Sequence, residues 1–322
     1  MREIECRTSE VIMVSHPRQV YQPQPGESRC GQGCYAGDAM VVVCAFCWGV
    51  AAVIGAVGVS PDPAAHPWPN SSGQPLEERV APPPGCIRVA QEPGRFGVWL
   101  RRLPLRPGRP PVNLYDGRPK VNQEAHEAVV AIDVGRSDLQ QCADAVIRLR
   151  AEWLWERGCE DAIAFHFTSG DLARWTTWKD GWRPRVSGAR VTWAATARPD
   201  GSYAAFRRYL DTVFAYAGSL SLSRELDRVL DPLQIEPGDV FVQGGSPGHA
   251  VLVVDVAENA DGVRWFLLVQ SFMPAQEVHL LRNPATVGSP WFPASASGEL
   301  VTPEWTFRFT DLRRFPPVEC TW

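Results

Sequence analysis

A single uncharged apolar stretch near the N-terminus constrains this chain more than any other feature of its sequence. Residues 39–59 read AMVVVCAFCWGVAAVIGAVGV. This length is close to the roughly 20 residues that a helix needs to cross a bilayer. The stretch is therefore predicted to be a signal or anchor segment, and membrane contact is expected through this segment only.

The flanking residues indicate how the apolar segment is oriented. Arg18 and Arg29 precede it, whereas residues 60–78 contain neither Lys nor Arg. Because positive charge stays on the cytoplasmic side, this asymmetry favours an inside N-terminus and an exported remainder. Ala56 and Gly58 are small enough for a cleavage site, so anchored and released forms both stay open. The predicted location is extracytoplasmic, in the periplasm or cell envelope.

Composition divides the rest of the chain. Residues 1–38 are interpreted as a leader that is disordered or untranslated. Residues 60–83 are rich in Pro, Ser, Gly and Ala, which is typical of an extended linker, and residues 84–322 are predicted to form the globular domain. With 32 Lys and Arg against 36 Asp and Glu, no field of one sign exists to hold a phosphate backbone, so nucleic acid is not an expected partner.

Hydrophobic periodicity predicts two helices. Residues 138–158 carry an apolar stripe at helical spacing, begin after Ser137 and end at Gly158. The stripe consists of Leu139, Cys142, Val146, Leu149 and Trp153. A second helix is predicted over residues 202–217.

Alternating and continuous apolar runs predict strands, most of them after the helices. They are AIAFHF, ARVTWAA, DVFVQ, HAVLVVDV and VRWFLLVQ, and the last two are joined by turn residues 259–262. Strands grouped in this way predict an α+β fold with helices packed on a largely antiparallel sheet.

A cysteine near a helix start and a histidine at a strand start are the main candidates for chemistry. A helix N-terminus and a nearby imidazole favour the thiolate of Cys142, and His249 begins a predicted strand. Gln270, at the end of the next strand, is expected to return beside His249 in a hairpin and to orient its ring, with Ser271 as its rival. Gln141 offers a neutral side-chain donor to an oxyanion.

Other interpretations of these residues remain open. Cys142 lies on the apolar stripe, and free cysteine is commonly buried. The histidines are scattered without metal-ligand spacing, so neither a metal nor another cofactor is expected. Trp175, Trp178 and Trp182 are interpreted either as a shelf for sugar rings or as packing residues.

Several longer motifs resemble the bacterial domain of unknown function 4846 family, whose members are extracytoplasmic proteins without a settled activity. The resemblance covers residues 84 to about 315 and is carried by DLQQCADAVIRLRAEWL, HFTSG, YAGSLSLSREL, PGDVFVQGGSPGHAVLVVDVAEN, QSFMPAQEVHLLRNP and TPEWTF. This resemblance implies an envelope domain.

A looser resemblance implies a reaction. A helix beginning near Gln-Cys, followed by PGDVFV and a His that opens a strand, is similar to NlpC-type and CHAP-type cell-wall amidases. It implies a papain-like fold with Cys142 as nucleophile, His249 as base, Gln270 as orienting residue and Gln141 at the oxyanion. Those families place the cysteine in the first helical turn, whereas Cys142 follows Asp138 by four positions.

Two functions are therefore expected as alternatives. One is an envelope cysteine hydrolase that cleaves an amide bond, with peptidoglycan as a candidate substrate. The other is an inactive envelope module that binds a cell-wall glycan or peptide. The sequence predicts no oligomeric state.

Overall fold

The two longest strands among the described residues form the centre of a nine-stranded sheet in which all neighbouring strands are antiparallel. The computed structural model describes residues 66–68 and 71–318, which belong to one compact unit. In these residues the strands β1–β17 are Gln74–Pro75, Cys86–Arg88, Pro104–Leu105, His126–Val129, Ala164–His166, Leu172–Arg174, Trp182–Ser187, Arg190–Ala195, Asp227–Arg228, Val240–Gln243, His249–Asn259, Arg264–Gln270, His279–Leu281, Phe292–Pro293, Glu299–Val301, Thr306–Arg308 and Leu312–Arg314.

Helices accompany this sheet in the same part of the chain. The α-helices α1–α6 are Leu76–Arg79, Phe96–Arg101, Cys142–Glu156, Trp175–Lys179, Tyr203–Tyr216 and Ser219–Glu225. Short 3₁₀ turns are Gln123–Ala125, Glu160–Ala162, Pro232–Gln234 and Phe309–Asp311. The predicted α+β class with a largely antiparallel sheet is confirmed.

The sheet order is β4, β13, β12, β11, β10, β17 and β9, with β14 beside β12 and β2 beside β11. The hairpin of β11 and β12 turns at Asn259, as the turn residues predict, and Gly262 there adopts φ +77°. This hairpin brings the start of β11 and the end of β12 to one end of the sheet.

The two faces of the sheet pack against different partners. Alternate residues of β11, including Ala250 and Leu252, join the large core made with the helices. Val251 and Val253 point the other way, into a second core rich in phenylalanine. One face of β11 is therefore the helix face, and the other is covered by the C-terminal segment that contains Phe307.

Helix α3 begins later than the periodicity predicts. It starts at Cys142 and not at Asp138, because the Asp138 carboxylate accepts hydrogen bonds from Ala275 N (2.6 Å) and Gln141 Nε2 (3.1 Å) outside the helix. The Gln141 N–H instead donates to Asp144 Oδ2 (3.0 Å) in the first turn. Cys142 is thus the first helical residue. The predicted stop is confirmed, since Gly158 follows the helix with φ +69°.

The Pro-rich segment before residue 84 is more ordered than the linker prediction. Trp68 is buried and its Nε1–H donates to Ala131 O (2.7 Å), and Leu76 of α1 is fully buried. A single large side chain at each of these positions anchors a segment whose composition is otherwise poor in core residues. The predicted domain start at Pro84 is therefore too late, and the packed domain includes at least residues 74–83.

The predicted leader, 1–38, and the predicted signal or anchor segment, 39–59, lie outside the described residues. Among residues 66–68 and 71–318, no helix is both long and apolar enough to span a bilayer.

Candidate functional site

The predicted site residues lie on three elements. His249 is the first residue of β11, Gln270 is the last residue of β12, and Cys142 is the first residue of α3 with Gln141 immediately before it. The antiparallel pairing of β11 with β12 brings the ends that carry His249 and Gln270 together.

His249 and Gln270 form the expected hydrogen bond. His249 Nε2 lies 2.8 Å from Gln270 Oε1. The other end of the Gln270 amide, Nε2, donates to Glu304 Oε2 (2.7 Å), and a carboxylate only accepts, which fixes the orientation of the amide. Nε2 of His249 must therefore carry the proton, and Nδ1 is the basic nitrogen of the neutral ring.

Aromatic rings enclose His249. Its ring centroid lies 4.8 Å from that of Phe272, 5.3 Å from Trp305 and 5.7 Å from Phe307, and the residue is 1% exposed. Burial lowers the pKa of His249 from 6.5 to about 4, and the positive charge of Lys120 adds to this, while the hydrogen bond to Gln270 opposes it. His249 is therefore neutral at neutral pH.

Cys142 is a free, half-buried thiol at the start of α3. Burial raises its pKa to about 11, and the carboxylate of Asp144 contributes in the same direction. Backbone N–H groups, with the largest contribution from that of Ala250, oppose the shift because they favour the thiolate. The position at a helix N-terminus does not outweigh burial here, so the thiol is protonated at neutral pH.

Cys142 contacts the backbone of Ala250, the residue after His249, and forms no direct hydrogen bond with His249. The Ala250 N–H that faces the sulfur belongs to the residue after His249. However, Ala250 lies on the helix face of β11, whereas the His249 ring packs on Phe307 on the opposite face. In the part of the chain that the structure describes, no hydrogen bond joins Cys142 to His249, and Nδ1 of His249 has no hydrogen-bond partner.

The other two predicted residues have local partners. Gln141 Nε2 donates to Asp138 Oδ1 (3.1 Å). Ser271, the rival for orienting His249, has its Oγ 2.8 Å from Gln140 O and 2.7 Å from Gln276 O. Ser271 therefore connects the segment before α3 to the turn after β12, and Gln270 is the residue bonded to His249.

The sequence did not predict the charged and polar residues that surround Gln270. Glu304 forms an ion pair with Lys120 as well as the bond to Gln270. His279 lies in the same group: its Nδ1 is 2.9 Å from Glu277 O, and its Nε2 is 3.3 Å from Gln270 Nε2. The only sequence signal for Glu304 is its place in the motif TPEWTF.

The glycine-rich loop before His249 packs closely against α6. A Cβ on Gly244 would lie 2.2 Å from Ser223 Oγ, and one on Gly248 would lie 2.4 Å from Ser219 Oγ. These distances are shorter than real contacts, so close backbone approach explains both glycines. This packing fixes the position of the backbone where β11 begins.

Two of the three tryptophans are packing residues, which is one of the two interpretations that the sequence left open. Trp175 is fully buried and Trp178 is 6% exposed, because both pack against Tyr209 of α5. Only Trp182 is exposed, and one ring does not make a shelf.

Residues 66–68 and 71–318 contain no group of three His, Cys, Asp or Glu side chains able to hold a metal ion.

The buried neutral His249 predicts that the fold weakens in acid. Because the folded pKa, about 4, is below the unfolded value of 6.5, this stability is present above pH 6.5 and is lost as the pH falls toward 4. The loss is about 3 kcal/mol at 1.36 kcal/mol per pKa unit. Urea unfolding at pH 7.5 and 4.5 should show that His249→Gln has a smaller acid loss than the wild type.

The control is His166→Gln. The His166 side chain is 43% exposed and its Nδ1 lies 3.4 Å from Glu225 Oε2, so this variant removes a partly exposed contact and not a buried neutral ring. It should keep the acid loss of the wild type. If His249→Gln also keeps the full loss, the His249 ring is charged or hydrated in the folded protein.

Comparison with known proteins gives one match. No curated protein and no solved structure matches the chain. The model of the family named domain of unknown function 4846 matches residues 76–314, which include Cys142, His249, Gln270 and Glu304. The chain therefore belongs to the domain of unknown function 4846 family.

Proposed function

We propose that this protein is a cysteine hydrolase of the cell envelope that cleaves an amide bond in a cell-wall peptide. In this proposal the fold works as a papain-like one: Cys142 is the nucleophile, His249 the base and Gln270 the residue that orients the base. The start of α3 at Cys142 supports it, because the thiol then lies in the first helical turn, where the NlpC-type and CHAP-type amidases have theirs.

The observation that carries the proposal is the chain of hydrogen bonds from Glu304 through Gln270 to His249. It holds the imidazole with Nε2 protonated and Nδ1 basic. A general base needs a fixed tautomer and an available lone pair. A purely structural histidine would be expected to use both ring nitrogens, as His279 does.

The proposed reaction starts from a neutral thiol and a neutral imidazole. As the Cys142 sulfur attacks the carbonyl carbon, the thiol proton passes through a water molecule to His249 Nδ1, since the two side chains share no direct hydrogen bond and the His249 ring packs on Phe307. The C–N bond then breaks, the departing nitrogen takes the proton from Nδ1, and an acyl thioester remains on Cys142. Water, deprotonated by the same nitrogen, hydrolyses the thioester and restores the thiol.

Donors for the developing oxyanion are available at the start of α3. The first N–H groups of a helix have no partner within the helix, and that of Cys142 is among them. Gln141 keeps one side-chain N–H beyond the one that it donates to Asp138. We assign both to the oxyanion of the tetrahedral intermediate.

Two features support the envelope location. Residues 39–59 have the length and polarity of an export or anchor segment. In addition, Cys159 is disulfide-bonded, and disulfides persist mainly in oxidising compartments outside the cytoplasm.

A covalent trap tests the proposal. The full-length chain is incubated with peptidoglycan stem peptides, quenched in acid and digested, and the peptide that contains Cys142 is examined by mass spectrometry. A mass increase equal to the acyl part of the substrate is expected on Cys142. Cys86 is the other free cysteine of the described residues and should stay unmodified. Substrate cleavage without any adduct, unchanged in Cys142→Ala, would contradict a cysteine mechanism.

One observation favours the second candidate, an inactive module that binds a cell-wall glycan or peptide. The raised pKa of Cys142 and the lowered pKa of His249 both oppose proton transfer between them, and the His249 ring lies on the face of β11 opposite α3. This candidate predicts saturable binding of the same fragments, with neither adduct nor cleavage.

A further inference from the structure

A cavity lies at the other end of α3 from Cys142. Its volume is about 770 Å³, within the usual range of ligand sites. The second half of α3, the start of α2 and the segments 90–94, 236–239 and 314–318 form its walls. Arg150 lines it, eight residues after Cys142, which is about 12 Å along the helix axis.

Arg150 is a buried cation in an unusual environment. Its guanidinium carbon lies 4.4 Å from the ring centroid of Trp153, 4.9 Å from that of Phe315 and 5.2 Å from that of Phe96. The residue is 7% exposed, and its one hydrogen bond, from Nη2 to Pro316 O, is long at 3.4 Å. Three aromatic rings thus hold the guanidinium in place and leave most of its N–H donors unused.

The other buried arginines among the described residues are paired with carboxylates, unlike Arg150. Arg101 pairs with Asp255 (2.6 Å), and Arg148 pairs with Asp133 (2.7 Å) and Glu152 (3.3 Å). Among the residues that the structure describes, no carboxylate pairs with Arg150. A buried charge without a counter-charge is costly, so the guanidinium of Arg150 is suited to bind an anionic partner that is not among the described residues.

The acidic residues of the cavity do not supply that partner. Glu236 and Asp239 are engaged by Arg314, at 3.2 Å and 2.6 Å. Glu92 completes the acidic side chains of the wall, against Arg95, Arg150, Arg157 and Arg314 on the basic side. Among the described residues, none of these carboxylates pairs with the guanidinium of Arg150.

We propose that this cavity binds a small oxyanion, a carboxylate or a phosphate group, on the guanidinium of Arg150. A planar guanidinium offers parallel N–H donors that match the two oxygens of such a group. The rings of Phe96, Trp153 and Phe315 keep the fork in one orientation before the ligand arrives, which reduces the entropy lost on binding. This site is separate from the Cys142 region and does not depend on hydrolysis.

Calorimetric titration of the full-length chain with inorganic phosphate, and separately with benzoate, tests the site. At least one probe should bind saturably, and Arg150→Met should weaken that binding at least tenfold, because methionine fills the ring cage without a charge. Arg150→Lys keeps the charge but not the fork, so it should also bind several-fold more weakly. Stronger binding of phosphate or of benzoate identifies the group that the site prefers.

The control is Arg185→Met, which removes an exposed arginine on β7 and should leave binding unchanged. Thermal unfolding gives a second measurement: the preferred probe should raise the melting temperature of the wild type and of Arg185→Met, but not of Arg150→Met. Failure of both probes to bind the wild type, or equal binding by folded Arg150→Met, would overturn the proposal. If Arg150→Met does not fold, equal binding by Arg150→Lys and the wild type overturns it.

Discussion

Cys142→Ala is expected to lower kcat/KM for an accepted cell-wall peptide by about 10³-fold or more. Removing the nucleophile of a covalent mechanism leaves only the contribution of binding and oxyanion stabilisation, so the loss is of that order. The variant should fold, since Cys142 is half-buried and alanine is a good helix former at the start of α3. Product release from a labelled stem peptide, followed by chromatography, measures the change.

The matched control is Cys86→Ala. Cys86 is also free and half-buried, but it lies on β2, which pairs with the far end of β11 from His249. Its turnover should equal that of the wild type. A folded Cys142→Ala protein with wild-type turnover would contradict the mechanism, whereas binding without turnover in the wild type would favour the binding module.

The sequence predicts the main elements of the fold because their patterns are local. Helix α5 follows Ser202, whose side chain accepts the Ala205 N–H (3.2 Å), and the hairpin of β11 and β12 needs only two apolar runs and a turn. The pairing of His249 with Gln270 follows from that hairpin.

Where the sequence misleads, distant contacts are responsible. The periodic stripe extends through Leu139, but Asp138 bonds to Ala275, which lies far along the chain, and so the helix starts later. In the same way, the Trp68 Nε1–H donates to Ala131 O, a distant contact that local composition does not predict.

In the candidate site, too, local patterns predict some features, and distant contacts determine the others. Glu304 reaches Gln270 from another part of the chain, so no local pattern announces it. The face on which His249 lies follows from strand alternation, but which core covers that face depends on where Phe307 and Trp305 pack. Spacing alone therefore predicts that Cys142 and His249 are near each other, and does not predict the environment that shifts their pKa values.

Asp255→Ala is expected to destabilise the fold by about 3–5 kcal/mol, which is the usual cost of breaking a buried ion pair from one side. Asp255 is fully buried at a register shift in β11, and its two oxygens accept from Arg88 Nε and Arg101 Nε, each at 2.6 Å. Both arginines also donate to backbone carbonyls of the segment 80–89, Arg88 to Val80 O and Arg101 to Val89 O. Without the carboxylate, two guanidinium groups remain without their counter-charge beneath that segment.

Equilibrium unfolding in urea measures this loss, with Asp261→Ala as the control because Asp261 lies in the exposed turn between β11 and β12. The control should change stability by less than about 0.5 kcal/mol. Asp255→Asn separates charge from shape: it keeps the size of the side chain but removes the negative charge, so most of the loss should remain. A loss below about 1 kcal/mol in Asp255→Ala would mean that water reaches both guanidinium groups. In that case the ion pairs do not stabilise the packing of the segment 80–89 on the sheet.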